Sequence, residues 1–196
     1  MDSKRKRILL ALGAALIVAS IGVGAMSLAL FTSTATVPAN TFSTGSVIIS
    51  TNPTTALVTF SAISPGDQVT APITVTNGGT LDLRYAISSV ATNVDTKSLK
   101  DQLVLTIKSG VSACNSIDWV TDGTQLYSGD LDSSAGKLVG DSTSGAQSGD
   151  RVLPPTTGNT EVLCFHVSLP GATTDAFQLA STTATFSFVA EQTKNN

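Results

Sequence analysis

Two side chains in the C-terminal third carry the sharpest chemical signal: Cys164 and His166, inside the run VLCFHVSL. Residues two apart on a strand face the same way, so a thiol and an imidazole would stand side by side. Such a pair can make a Cys-His nucleophile or two ligands of a metal. Either use needs a third group to orient the base or complete the ligand set. His166 is the only histidine in the chain, so the His-Glu-x-x-His zinc pattern is absent. Cys114, the other cysteine, offers Cys164 a different fate. Outside the cytoplasm a pair tends to oxidise, and a disulfide of that span stabilises by about 4 kcal/mol when unstrained. Two buried thiols are the alternative, because spacing does not show that their Cα atoms meet.

Carboxylates give no stronger pattern. Asp118, Asp122, Asp130, Asp132, Asp141 and Asp150 sit near glycines, but no twelve-residue calcium loop can be read among them. Solvated turns account for them. Trp119 reads as a core or rim aromatic. Asn40-Thr-Phe and Asn159-Thr-Glu lack Ser or Thr in the third position, so neither accepts N-linked sugar; the many Ser and Thr residues leave O-glycosylation open. No catalytic residue, cofactor or metal ligand is expected.

The elements that would position these groups are strands. Val47-Ile48-Ile49, Ala56 to Ala62, Gln68 to Asn77, Leu83 to Val90, Leu103 to Ile107, Glu161 to Leu169 and Thr183 to Val189 are short and rich in Val, Ile, Thr and Phe. Turn residues bound them, notably Ser64-Pro65-Gly66-Asp67 and Gly78-Gly79. The pattern predicts a β-sandwich. Helix is confined to Thr96–Leu103, with Thr96 as cap, and one turn in Thr173–Leu179. Residues 122–158, crowded with Gly, Ser, Asp and Thr, read as a surface insertion of hairpins or loop. Weak strand hints remain there at Gln125-Leu126-Tyr127 and Lys137-Leu138-Val139.

The N-terminus sets the compartment. Lys4, Arg5, Lys6 and Arg7 precede an uncharged apolar run from Ile8 to Leu30, the layout of a secretory signal. That run could also span a bilayer, which takes about 20 apolar residues, with its basic end inside. Cleavage is favoured: Gly13, Gly22 and Gly24 weaken a long helix, and Ser27-Leu28-Ala29 suits a cut between Ala29 and Leu30. The organisation predicted is a signal peptide at 1–29, an N-terminal strand and linker at 30–44, and one domain at 45–196. The 167-residue remainder holds 7 basic and 13 acidic residues, a charge of −6. An acidic chain without basic runs argues against nucleic acid.

The segment after the cut is unusual. Thr32, Thr34 and Thr36 alternate with Ser33, Ala35 and Val37, between Phe31 and Pro38. Such alternation suits an extended strand with one face toward a core. It is either this domain's own edge strand or a strand donated to a groove in the next subunit. A head-to-tail contact of the second kind does not close on itself and grows filaments.

Several landmarks now resemble one family. Ala29-Leu30-Phe31 after the signal, Phe42-Ser43-Thr44-Gly45-Ser46-Val47, Ile63-Ser64-Pro65-Gly66-Asp67 with Val75 to Leu81, and Leu169-Pro170 with Phe186 to Gln192 are similar to the TasA and camelysin family of exported matrix proteins. The resemblance implies an all-β, jelly-roll-like sandwich with short helices behind a signal peptide. It also implies trimming by a dedicated signal peptidase and assembly into biofilm matrix fibres, or bundling pili as in archaeal relatives. On that reading Leu30, Phe31, Ser33, Ala35 and Val37 belong to the donated strand. The partners are identical subunits head to tail, with sister matrix proteins besides. The membrane is met only as precursor, and the product is secreted to the matrix or cell surface. Camelysin itself is described as a casein-cleaving metallopeptidase; with one histidine, that role does not carry over. A surface-anchored monomeric adhesion module is the other rival.

Overall fold

The computed structural model describes residues 3–13, 41–55, 62–132 and 137–194. They fall into two compact units, Met1–Ser43 and Thr44–Asn196. In the first, residues 3–13 form an exposed helix, α1, which carries the basic cluster. No helix among the described residues is long and apolar enough to cross a membrane. The rest of the apolar leader, the Ala29-Leu30 junction, and Phe31, Ser33, Ala35 and Val37 lie outside the described residues. So does the predicted strand at 56–62, apart from Ala62.

The second unit is all-β with short helices, as the strand pattern predicts. Its strands are β1 (Ile49–Asn52), β2 (Gln68–Asn77), β3 (Leu83–Ala91), β4 (Val104–Ser109), β5 (Thr124–Asp130), β6 (Lys137–Val139), β7 (Arg151–Leu153), β8 (Thr160–Ser168) and β9 (Ala184–Gln192). One sheet has the order β1-β2-β8-β4-β5; in the other β3 pairs with β6, β7 and β9. All pairings are antiparallel. A single core joins the sheets through Val75, Leu105, Ile107, Leu163 and Phe165 on one side and Leu83, Tyr85 and Ile87 on the other.

Local chemistry explains the strand boundaries. β2 follows a turn in which Asp67 N donates to Ser64 O at 2.9 Å and Gly66 takes φ +98°, open to glycine at no steric cost. Pro72 lies inside β2 but beyond the last β1 pair, Asn52↔Thr74. There, among the described residues, β2 has a neighbour on one side, where a missing N–H is tolerated. At the opposite end Asn77 is fully buried and satisfied: Nδ2 donates to Leu81 O at 2.9 Å and Leu153 O at 3.0 Å, and Oδ1 accepts from Gly79 N at 2.9 Å. Gly79 admits the chain ahead of β1, since a Cβ there would stand 2.3 Å from Ser46 O. We refer to this end of the sandwich as the base; the end where β2 starts and β8 finishes is the tip.

One expectation changes. The helix predicted over Thr96–Leu103 is a single 3-10 turn, Leu99–Asp101. Thr96 is not its cap, because Thr96 and Ser98 hold φ of +58° and +57°. Leu99 and Leu103 are both buried, so their spacing reflects core anchoring where the chain crosses between sheets. The second predicted turn is present as a 3-10 turn, Asp175–Phe177. In the region at 122–158 the strand hints at 125–127 and 137–139 fall in β5 and β6: β5 extends the first sheet, and β6 and β7 pair with β3.

Candidate functional site

The outer face of the first sheet holds the Cys-His pair. Cys164 and His166 do share a strand face, and Cys164 is bonded to Cys114 with Cα atoms 5.4 Å apart. That bond brings the segment after Cys114 over β8, where the short helix α2 (Asp118–Thr121) lays Trp119 on His166. The rings stack at 4.6 Å and 12°. Lys108 on β4 closes the cluster. Its Nζ sits 4.8 Å from the Trp119 ring centre and donates to Trp119 O at 2.7 Å and Asp122 O at 3.2 Å. His166 Nδ1 meets Thr70 Oγ1 at 3.1 Å. Burial, then the Lys108 charge, pushes the His166 pKa down, so the imidazole is held neutral.

This arrangement does not fit a catalytic metal. Zinc in peptidases is held by three protein ligands with a fourth position open. Both cysteines are bonded to each other. Among the described residues no three of His, Cys, Asp and Glu lie close enough to hold an ion, and the rest of the sequence adds only Asp2 to that set. The one imidazole is covered by an indole and faces an ammonium, which repels a cation. Nor is a thiol available for a Cys-His nucleophile.

The acidic residues singled out by sequence have other partners. Arg84, 3 % exposed in the second sheet, pairs with Glu191 at 2.7 Å. Its Nε lies 3.1 Å from Asp150, near enough for an ion pair but not aligned as a hydrogen bond. Asp141 is bound by Lys137 at 2.6 Å and by Thr143, which together hold its carboxyl down to about 2. Asp132 receives Lys100 at 2.9 Å. Near the base, Arg151 pairs with Glu161, and Tyr85 donates to Glu161 at 2.6 Å across the core. Burial and that carboxylate raise the Tyr85 pKa. The Arg84–Asp150 pair ties the far end of residues 137–151 onto the second sheet, and Arg151–Glu161 reaches across to the first.

The other distinctive region is β9. Its nine residues pair with β3 from Leu83↔Gln192 to Ala91↔Ala184. Among the described residues no strand pairs with its other edge. Ala184, Phe186, Phe188 and Ala190 face the core but are only partly buried. Phe186 makes an edge contact with Phe165 at 5.2 Å, and Phe188 meets Tyr85 at 6.2 Å. Across the sandwich, β9 approaches β1, the outer strand of the first sheet, where Val47 and Ile49 are likewise partly buried. The sandwich thus has one flank whose apolar residues are half covered. Sequence reasoning found β9 as a strand but not its exposure, which depends on neighbours far along the chain.

Residues 4–196 match the family model described as Camelysin metallo-endopeptidase. No curated protein matches the chain.

Proposed function

Because the chain belongs to the camelysin metallo-endopeptidase family, an extracellular one, we propose that it is a secreted structural subunit that polymerises by strand donation into matrix fibres or bundling pili. In this reading, residues Leu30–Thr41 of one copy add to the β9 edge of the next. The observation that carries it is the half-covered row Ala184, Phe186, Phe188 and Ala190 on a strand that, among the described residues, pairs with β3 alone. An added strand gains main-chain hydrogen bonds and lays alternate side chains into such a row. The stretch from Leu30 to Val37, uncharged and ended by Pro38, has the length and alternation to do this, with Phe31, Ser33, Ala35 and Val37 toward the core. Identical subunits are then the partners, head to tail, after a signal peptidase cuts at Ala29-Leu30.

Deleting Leu30–Thr41 should leave a folded monomer that does not elongate, as seen by electron microscopy and sedimentation. Val37→Asp should act similarly, since burying an unpaired carboxylate costs several kcal/mol. Filaments of normal length from the deletion would sink the mechanism. The family's name favours a second reading, a peptidase. Its test is casein cleavage by purified protein: activity abolished by a chelator and by His166→Ala would establish it against the structural role.

A further inference from the structure

The segment that runs from Cys114 through α2 roofs the outward face of β8, and beneath it a cation stands beside a disulfide. Lys108 lies directly across from Cys164 in the β4–β8 ladder, which puts their Cβ atoms about 5 Å apart. On the other side β2 sets Pro72 across from Cys164 and Thr70 across from His166, so it brings no charge. Lys108 Nζ donates to two main-chain carbonyls, Trp119 O and Asp122 O. Among the described residues no carboxylate pairs with it. The Asp122 carboxylate is taken by Ser112, whose N and Oγ lie at 3.1 and 2.5 Å. A part-buried ammonium held on carbonyls has its charge to offer to an anion formed beside it.

The disulfide supplies that anion when it opens, and its two sulfurs are not equivalent. Cys164 is 1 % exposed, between Lys108 and His166. Cys114 is half-buried in a loop, with exposed Ala113 and Asn115 on either side, and the charges nearest it along the chain are the acids Asp118 and Asp122. A neighbouring cation lowers a thiol pKa, and the thiol of lower pKa leaves faster. We infer that the Cys114–Cys164 bond is an exchange site for small-molecule thiols: an external thiolate attacks Cys114 Sγ, and Cys164 leaves as the thiolate beside Lys108. One S–S bond breaks and one forms, and the electron pair of the broken bond stays on Cys164. The small thiol has given its proton to water before it attacks. Cys164 reverses the step by attacking Cys114 Sγ and expelling the small thiolate. With the tie cut, the ring stack and the Lys108 hydrogen bonds hold Trp119 in place. Turning Lys108 to the thiolate gives up the second of these, so the roof loosens as the bond opens.

The test treats purified protein with 2-mercaptoethanol, traps free thiols with iodoacetamide and maps the modified peptides by mass. The mercaptoethanol adduct should fall on Cys114 and the alkyl group on Cys164. Far-UV circular dichroism should stay native while the fluorescence of Trp119, the one tryptophan, changes. In Lys108→Met the pH profile for alkylation of Cys164 in the opened protein should move up by about one unit, a fall in rate of about tenfold below both pKa values. Lys108→Arg should restore the wild-type profile. A lysine with a merely structural role would change the thermal midpoint and leave that profile where it is. Adducts shared equally between the two cysteines, or an unshifted profile in Lys108→Met, overturn the inference. So does a wild-type disulfide that reacts only when the whole domain unfolds. Where Lys108→Met does not fold, the position of the adduct in the wild type decides.

Discussion

The middle of one sheet and the flank of the other treat similar strands differently. β8 has neighbours on both sides, and its inward Leu163, Phe165 and Val167 are sealed, while its outward face is roofed by a segment of the same chain. β9 has the same alternation but one neighbour among the described residues, and its inward phenylalanines stay half in water. Phe165 and Phe186 touch each other, yet one is fully buried and the other is not. The chain has enough material to roof a polar face with a disulfide, a ring stack and a cation. In the other sheet an apolar edge is, among the described residues, only half covered. That flank is where added structure yields the most burial.

Substitution at the touching pair should break the symmetry most. Phe165→Ala removes a sealed ring and should cost about 3–5 kcal/mol in urea unfolding of monomer. Phe186→Ala should cost only about 1–2 kcal/mol there, the share of transfer free energy that a half-buried ring retains, but should weaken binding of a peptide of residues 30–41. Equal losses in the monomer would mean that the flank is already closed. The roof comes next. Its disulfide spans 50 residues, and Cys114→Ser with Cys164→Ser should cost about 4 kcal/mol by loop entropy. Peptide binding at β9 should survive, separating roof from edge.

The smallest effect concerns His166. Its folded pKa lies below the unfolded value, so the unfolded chain takes up a proton first as pH falls. The stabilisation is complete above about pH 6.5, the unfolded value, and is lost below it as pH approaches the folded value. Urea midpoints between pH 7.5 and 5 should decline, and His166→Gln should flatten that decline relative to wild type. A steeper decline in the variant would show that the roof does not keep the imidazole neutral.

Much of the fold was legible because it is written locally. QVTAPITVTN between a Pro-Gly turn and a Gly-Gly pair reads as β2 to the residue, and TEVLCFHVS reads almost as well as β8. Thr96–Leu103 misled because spacing of four fits a helix or a chain that dips twice into a core, and positive φ at Thr96 and Ser98 has no local sequence marker there. Polar residues in 124–130 left only a weak hint, at 125–127, of a strand whose pairing is set by β4 beside it. Trp119 over His166 was not visible, since the two are far apart in sequence. The clue was present all the same: a Cys114–Cys164 bond necessarily draws residue 119 toward the face that Cys164 shares with His166. The half-exposure of Phe186 and Phe188 had no such clue, because alternation reports a face and not what covers it.

β1 is joined to its sheet by four residue pairs, from Ile49↔Asn77 to Asn52↔Thr74. In a fibre linked through the segment ahead of it, tension enters the domain there and runs along the strand axis. The antiparallel ladder then resists in shear, with its hydrogen bonds loaded together instead of one after another. The covalent tie at Cys164 lies further into the sheet, off that path. Stretched fibres would therefore yield first at this short seam, sparing the core and allowing it to re-form when the pull is released.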